Sequence, residues 1–122
     1  MKPDTRKQLG KFGEEMAVQH LQTVGHRILE RNWRCASGEI DIISEHEDTL
    51  IFTEVRTRRP TGTFGTAAES IHARKQRKVR EIAAVYVHRH YSHMPRIRFD
   101  AIAIQLKEDG TFHSPQHYVS AF

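Results

Sequence analysis

Apolar residues recur at helical spacing from Thr5 to Val24, where Leu9, Phe12, Met16, Ala17, Leu21 and Val24 fall on one side. This predicts a first helix that Gly25 stops. Gly10 and Gly13 lie inside it, each costing roughly 1 kcal/mol relative to Ala, which suggests close approach of another backbone. From His26 to Trp33 the pattern changes to a first strand carrying Ile28 and Leu29. Gly38-Glu39-Ile40-Asp41-Ile42-Ile43 and Leu50-Ile51-Phe52-Thr53-Glu54-Val55-Arg56 read as two adjacent strands, each with a carboxylate among aliphatic residues. The polar segment Ser44 to Thr49 is expected to be the hairpin connection between them. Arg58 to Thr66 is loop by its Pro and Gly content. A second helix is expected from about Ile71 to His90, with Ile71, Val79, Ile82, Ala83, Tyr86 and Val87 inward. After Pro95, Ile97 to Leu106 reads as a fourth strand and Gln116 to Phe122 as a short fifth strand or tail. The order is α-β-β-β-α-β-β: an α/β fold with a mixed sheet flanked by helices, in a single domain over residues 1–122.

Folding the central hairpin would set Asp41 beside Glu54, and Glu54 and Arg56 share a face because strand side chains alternate. Buried carboxylates need compensation, which a divalent cation commonly supplies. Glu39 is expected across the sheet from Asp41 and so outside any ligand set. Glu15 is expected to be solvated, opposite Phe12.

Charge sharpens this picture. The formal net charge is +4, from 19 Lys and Arg against 15 Asp and Glu. Residues 35–55 hold six acidic side chains and no Lys or Arg, whereas residues 56–98 hold eleven basic and two acidic ones. An acidic pocket beside a basic surface suits a metal-dependent enzyme acting on a polyanion; a solvated surface of mixed charge would show the same composition. The run Arg74-Lys75-Gln76-Arg77-Lys78, with Arg58 and Arg59 before it, is dense enough for phosphate-backbone contact. Counting back one turn from Val79 places Lys75 near the sheet, with Lys78 bordering the same side.

Other classes recede. Cys35 is the only cysteine, which excludes an intramolecular disulfide and suggests a reducing, cytoplasmic setting. The N-terminus lacks the apolar core of a signal peptide, and no apolar run is long enough to span a membrane. The tract His88-Arg89-His90-Tyr91-Ser92-His93 has no Cys partner and sits at a helix end, where cationic side chains suit the dipole better than zinc does.

Gly10-Lys11-Phe12-Gly13-Glu14, Arg31-Asn32-Trp33-Arg34, Gly38-Glu39-Ile40-Asp41, Phe52-Thr53-Glu54-Val55-Arg56-Thr57-Arg58, Lys75 and Arg98-Phe99-Asp100, in this order, resemble the YraN family of bacterial endonuclease-like proteins. That family is similar in turn to the restriction-endonuclease-like PD-(D/E)-x-K superfamily, near the archaeal Holliday junction resolvases. The resemblance runs from about Gly10 to Phe122. It implies a nuclease-like protein that uses Mg²⁺ or Mn²⁺, binds DNA at branched or single-stranded structures and hydrolyses phosphodiesters, with a homodimer left open. By resemblance Asp41 and Glu54 are metal ligands, and Glu14 reaches the same site to ligate metal or orient water. Asp100 is either catalytic or paired with a neighbouring Arg.

Position 56 departs from the pattern, carrying Arg56 where the superfamily has lysine. Arg can neutralise charge on a phosphate but cannot act as a base, since its pKa stays above about 12. Two alternatives therefore stand beside the enzyme: a nucleic-acid-binding module that kept the fold and lost efficient cleavage, and an interaction protein whose basic helix docks an acidic partner. Lys75 is a conceivable substitute for the missing lysine.

Overall fold

A computed structural model describes residues 6–60 and 73–122. The chain runs α1 (Arg6–Thr23), β1 (Arg27–Cys35), β2 (Gly38–His46), β3 (Thr49–Arg58), α2 (Ala73–His90), β4 (Arg96–Gln105) and β5 (Gln116–Tyr118). The strands form one sheet in the order β1-β2-β3-β4-β5. β3 and β4 are parallel and every other neighbouring pair is antiparallel. The single parallel pair is the one whose connection contains α2, because parallel neighbours need a crossover. Element order and the mixed sheet agree with the sequence pattern. Ile71 and residues 61–66 of the expected loop lie outside the described residues.

Each helix covers one face of the sheet. Ala17, Val18 and Leu21 of α1 pack with Ile42, Val55, Ile102 and Ile104. Val79, Ile82, Ala83, Tyr86 and Val87 of α2 pack with Ile40, Ile43, Leu50 and Phe52. β3, with a strand on either side and a helix on either face, is buried from Thr49 to Val55. That double burial explains its unbroken apolar run Leu50-Ile51-Phe52.

Three local features position the site. First, α1 ends in a Schellman turn: Gly25 has φ +99°, its N–H donates to the Gln22 carbonyl and the His26 N–H donates to the Leu21 carbonyl. Val24 therefore falls past the helix and is 44% exposed, not on the inner side as the spacing suggested; Val18 takes that place. Second, only one of the two helix glycines admits a neighbour. A Cβ on Gly13 would collide with Thr57 Oγ1 of β3, whereas nothing lies near Gly10. Third, the β2–β3 connection is two residues, Glu47 and Asp48, both left-handed (φ +51° and +60°), with His46 paired to Thr49. The expected loop from Ser44 to Thr49 is thus mostly strand. A two-residue turn with both φ positive matches the twist of the strands it joins and sets their register.

Candidate metal and nucleic-acid site

The hairpin register pairs Ile42 with Thr53, after which β2 and β3 part company while β3 remains paired with β4 as far as Arg58. Asp41 and Glu54 are the next residue on each strand, so they stand at the fork. Asp41 Oδ2 accepts a hydrogen bond from the Val55 N–H at 2.8 Å, taking the place of the lost ladder bond. The fork opens into a cleft of about 670 Å³ lined on the acidic side by Glu14, Glu39, Asp41 and Glu54. Lys7, Lys11, Arg56, Arg58, Arg59 and Lys75 supply its basic side.

Glu54 is 1% exposed, and its Oε1 is buried without a hydrogen-bond partner. Lys75 Nζ lies 3.7 Å from that oxygen, an ion-pair distance too long for a hydrogen bond. Burial, then the hydrogen bond with Asp41 and that residue's charge, push the Glu54 carboxyl up to about 9; Lys75 and Arg56 oppose the rise and do not cancel it. Glu14, brought to the cleft by the close seating of α1 at Gly13, is also shifted upward. Burial is the main cause, followed by the charges of Asp41 and Glu39, with Arg31 opposing.

Glu39 was expected across the sheet from Asp41, and the structure corrects this. Glu14, Glu39 and Asp41 each offer a carboxylate oxygen, all within 4.8 Å of one another. β2 does not alternate regularly here: Ile40 packs under α2 and Ile42 under α1 although they are two residues apart, so counting from Ile40 could not give the side on which Glu39 and Asp41 meet. The donor set fits a hard divalent cation. Oxygens around Mg²⁺ at about 2.1 Å lie at most about 4.2 Å apart, so small side-chain rotations would suffice, and Glu54 Oε1 is a buried acceptor without a hydrogen-bond partner.

The other expected residues divide. Arg56 and Arg58 are half-buried at the cleft, and Arg59 is exposed on its rim. The end of β3 is held by Gln105, whose Nε2 donates to the Arg58 and Arg59 carbonyls. Lys75 reaches the cleft, whereas Arg74, Arg77 and Lys78 are exposed on α2 and do not line it. Asp100 is fully buried away from the cleft, accepting from Arg98 Nε and Nη2, His117 Nε2 and the Ser120 N–H. It is a structural anchor. Glu15 is exposed and pairs with Arg31 at 2.9 Å.

Sequence reasoning passed over Lys7, Lys11 and Asn32. The first two were legible, since Lys7, Lys11 and Glu14 fall at i, i+4 and i+7 on one stripe of α1. Asn32 carried no such signal.

The family described as "Uncharacterised protein family UPF0102" matches residues 13–104. The chain belongs to the UPF0102 (YraN) family. It is 45% identical to a UPF0102 protein of Acidothermus cellulolyticus, over 86% of this chain and 87% of the relative. A UPF0102 protein of Desulfitobacterium hafniense is 46% identical, over 84% and 85%. One from Pelobacter propionicus is 43% identical, over 99% and 86%. A solved structure of Pyrococcus furiosus SfsA in complex with Ca²⁺ is 14% identical with a TM-score of 0.36, covering 88% of this chain and 61% of that one; so remote a likeness bears no weight. The matched span of the UPF0102 family takes in Glu14, Asn32, Glu39, Asp41, Glu54 and Lys75. No helix among the described residues is long and apolar enough to cross a membrane.

Proposed function

We propose that this UPF0102 protein is a metal-dependent nuclease-like protein that binds DNA along the basic rim of the cleft and hydrolyses phosphodiesters of branched or single-stranded structures. The observation that carries this reading is Glu54, a carboxyl buried without a hydrogen-bond partner at Oε1, in the same cleft as the cluster of Glu14, Glu39 and Asp41. A buried carboxyl oxygen that accepts no hydrogen bond is costly to any fold that has no use for it. Asp41, Glu54, Glu14 and Glu39 would hold Mg²⁺ or Mn²⁺. Such an ion would polarise a phosphate oxygen and make water acidic enough to attack phosphorus.

The chain's own residues divide the remaining work. Lys7, Lys11, Arg58 and Arg59 bind backbone phosphates on the rim, while Arg74, Arg77 and Lys78 extend the positive surface along α2. Arg56 neutralises charge developing on the phosphoryl group and transfers no proton. Lys75 counters the carboxylate of Glu54.

Arg56 favours a second reading, a binding module with little or no cleavage, because no lysine follows Glu54 on its strand. The deciding experiment measures cleavage of flaps, four-way junctions and single strands with Mg²⁺ or Mn²⁺, using wild type, Asp41→Ala and Arg56→Lys. The nuclease reading expects cleavage that Asp41→Ala abolishes and Arg56→Lys accelerates at unchanged metal dependence. If both wild type and Arg56→Lys are inert on every structure with metal bound, the binding module stands instead.

A further inference from the structure

Asn32 sits in the middle of β1 with φ +51°, a left-handed conformation that a strand residue rarely adopts. Its neighbours are regularly paired, Arg31 with Ile42 and Trp33 with Ile40, so Asn32 stands opposite Asp41. Asn tolerates this backbone better than most residues, yet Gly would adopt it at no steric cost. What Asn adds is a carboxamide where two carboxylates converge. Oriented with its nitrogen inward, the side chain donates to Glu14 Oε1 at 2.9 Å and Glu39 Oε1 at 2.8 Å. The opposite orientation would aim the amide oxygen at two carboxylates and lose both bonds.

Resting on the reading of the cleft as a divalent-metal site, we propose that Asn32 is the positioning residue that holds Glu14 and Glu39 in place to ligate the ion. Glu14 comes from α1 and Glu39 from β2, and no backbone hydrogen bond joins those two elements at this point. One –NH₂ group has two hydrogens, one for each carboxylate, and so ties helix to strand through β1. A carboxylate pinned through one oxygen has lost the rotation that would carry the other out of the cluster. The same two hydrogens offset the repulsion among three clustered carboxylates before a cation arrives. Arg34 Nη2 also binds Glu39 Oε2 at 2.8 Å. Asn32 is exposed as well, but its short side chain bonds both carboxylates, whereas the long Arg34 side chain, 79% exposed, reaches Glu39 alone and its pair holds weakly. Outer partners of this kind typically set metal affinity by about 10- to 100-fold.

The test is calorimetric titration of Mn²⁺ alone into wild type, Asp41→Ala and Asn32→Gly, with thermal unfolding of each. Asn32→Gly keeps the left-handed backbone and removes the side chain that carries the amide. It is expected to bind Mn²⁺ about 10- to 100-fold more weakly than wild type while its unfolding midpoint stays close to wild type. In wild type, the Asn32 side-chain NH₂ resonances should shift with added Mg²⁺, tracking occupancy of the site. Asn32→Gly that binds Mn²⁺ as tightly as wild type overturns the role of Asn32 and leaves the metal cleft standing. Wild type that binds no better than Asp41→Ala sinks the cleft reading and this inference with it. Should Asn32→Gly fail to fold, the resonances decide: NH₂ signals unmoved at saturating Mg²⁺ refute the role.

Discussion

Glu54 differs from the other acidic residues of the chain in what it costs. Its carboxyl, raised from about 4.5 to about 9, resists ionisation in the folded chain far more than in the unfolded one. Its contribution to stability is complete below about 4.5 and is lost as pH rises through about 9, because the unfolded chain ionises freely while the folded one resists. Glu54→Gln mimics the protonated form. Its thermal midpoint should therefore match wild type within a few degrees at pH 4 and exceed it increasingly toward pH 9, while Mn²⁺ binding is lost. A variant that is equally destabilised at both pH values would show that the carboxyl is needed for packing and not for a cation. Arg56 was the residue most legible as a departure. Its half-buried place beside Glu54 makes it an electrostatic partner of that group.

At the scale of elements, the seating of α1 on β3 decides whether Glu14 reaches the cleft. Gly13→Ala would gain about 1 kcal/mol of helix propensity. It would also drive a methyl into Thr57, whose Cβ and Cγ2 lie 3.1 Å from the new atom, with Oγ1 closer still. Overpacking of this kind typically costs about 1–3 kcal/mol, so a net loss is expected in denaturant unfolding, together with weaker Mn²⁺ binding as Glu14 is pushed outward. Thr57→Ala in the same background should recover part of both; no recovery would refute the contact. The far end of α1 predicts acid sensitivity. His26 is buried, bonded to Ser44 at 2.9 Å and stacked on His46 with centroids 4.6 Å apart. Burial first, then His46, His117 and Arg98, lower its pKa from 6.5 to about 4. The unfolded chain therefore takes up this proton first, and stability should fall as pH drops from about 6.5 to about 4. His26→Gln should flatten that slope in a series of thermal melts. Asp100 acts in a separate, lower window. Burial alone would raise it, but bonds from His117, Arg98 and Ser120 hold it near 2, so its contribution persists above about 3.8 and is lost as pH falls through about 2.

Across the whole molecule, the segregation of charge along the sequence becomes an acidic fork within a basic rim. Binding that depends on phosphate contacts must weaken steeply with salt. Lys11→Ala and Arg59→Ala should each weaken DNA binding across sequences and lower the salt slope by about 1. Loss of Arg77, exposed on α2 away from the cleft, should have a smaller effect. Titrations from low to physiological ionic strength give this directly, and an affinity flat over that range would favour docking to an acidic protein partner.

The sequence by itself determined the element order and the two apolar helix faces. Periodicity is a local property, and Val79, Ile82, Ala83, Tyr86 and Val87 go where their spacing sends them. It also determined the family, through short motifs in order, and it brought Asp41 to Glu54, because a hairpin is the shortest long-range contact a chain can make. Tertiary structure decided the composition of the cleft. Glu14, Asn32, Glu39 and Lys75 come from α1, β1, β2 and α2, and their meeting depends on where β2 and β3 diverge and how closely Gly13 lets α1 approach. It also decided against Arg74, Arg77 and Lys78 as cleft residues, since a run of basic side chains on a helix points all round its axis. Whether a carboxylate is solvated or buried without a partner depends on what packs over it. Glu54 reads like any strand carboxylate until α2 and the neighbouring strands close around it.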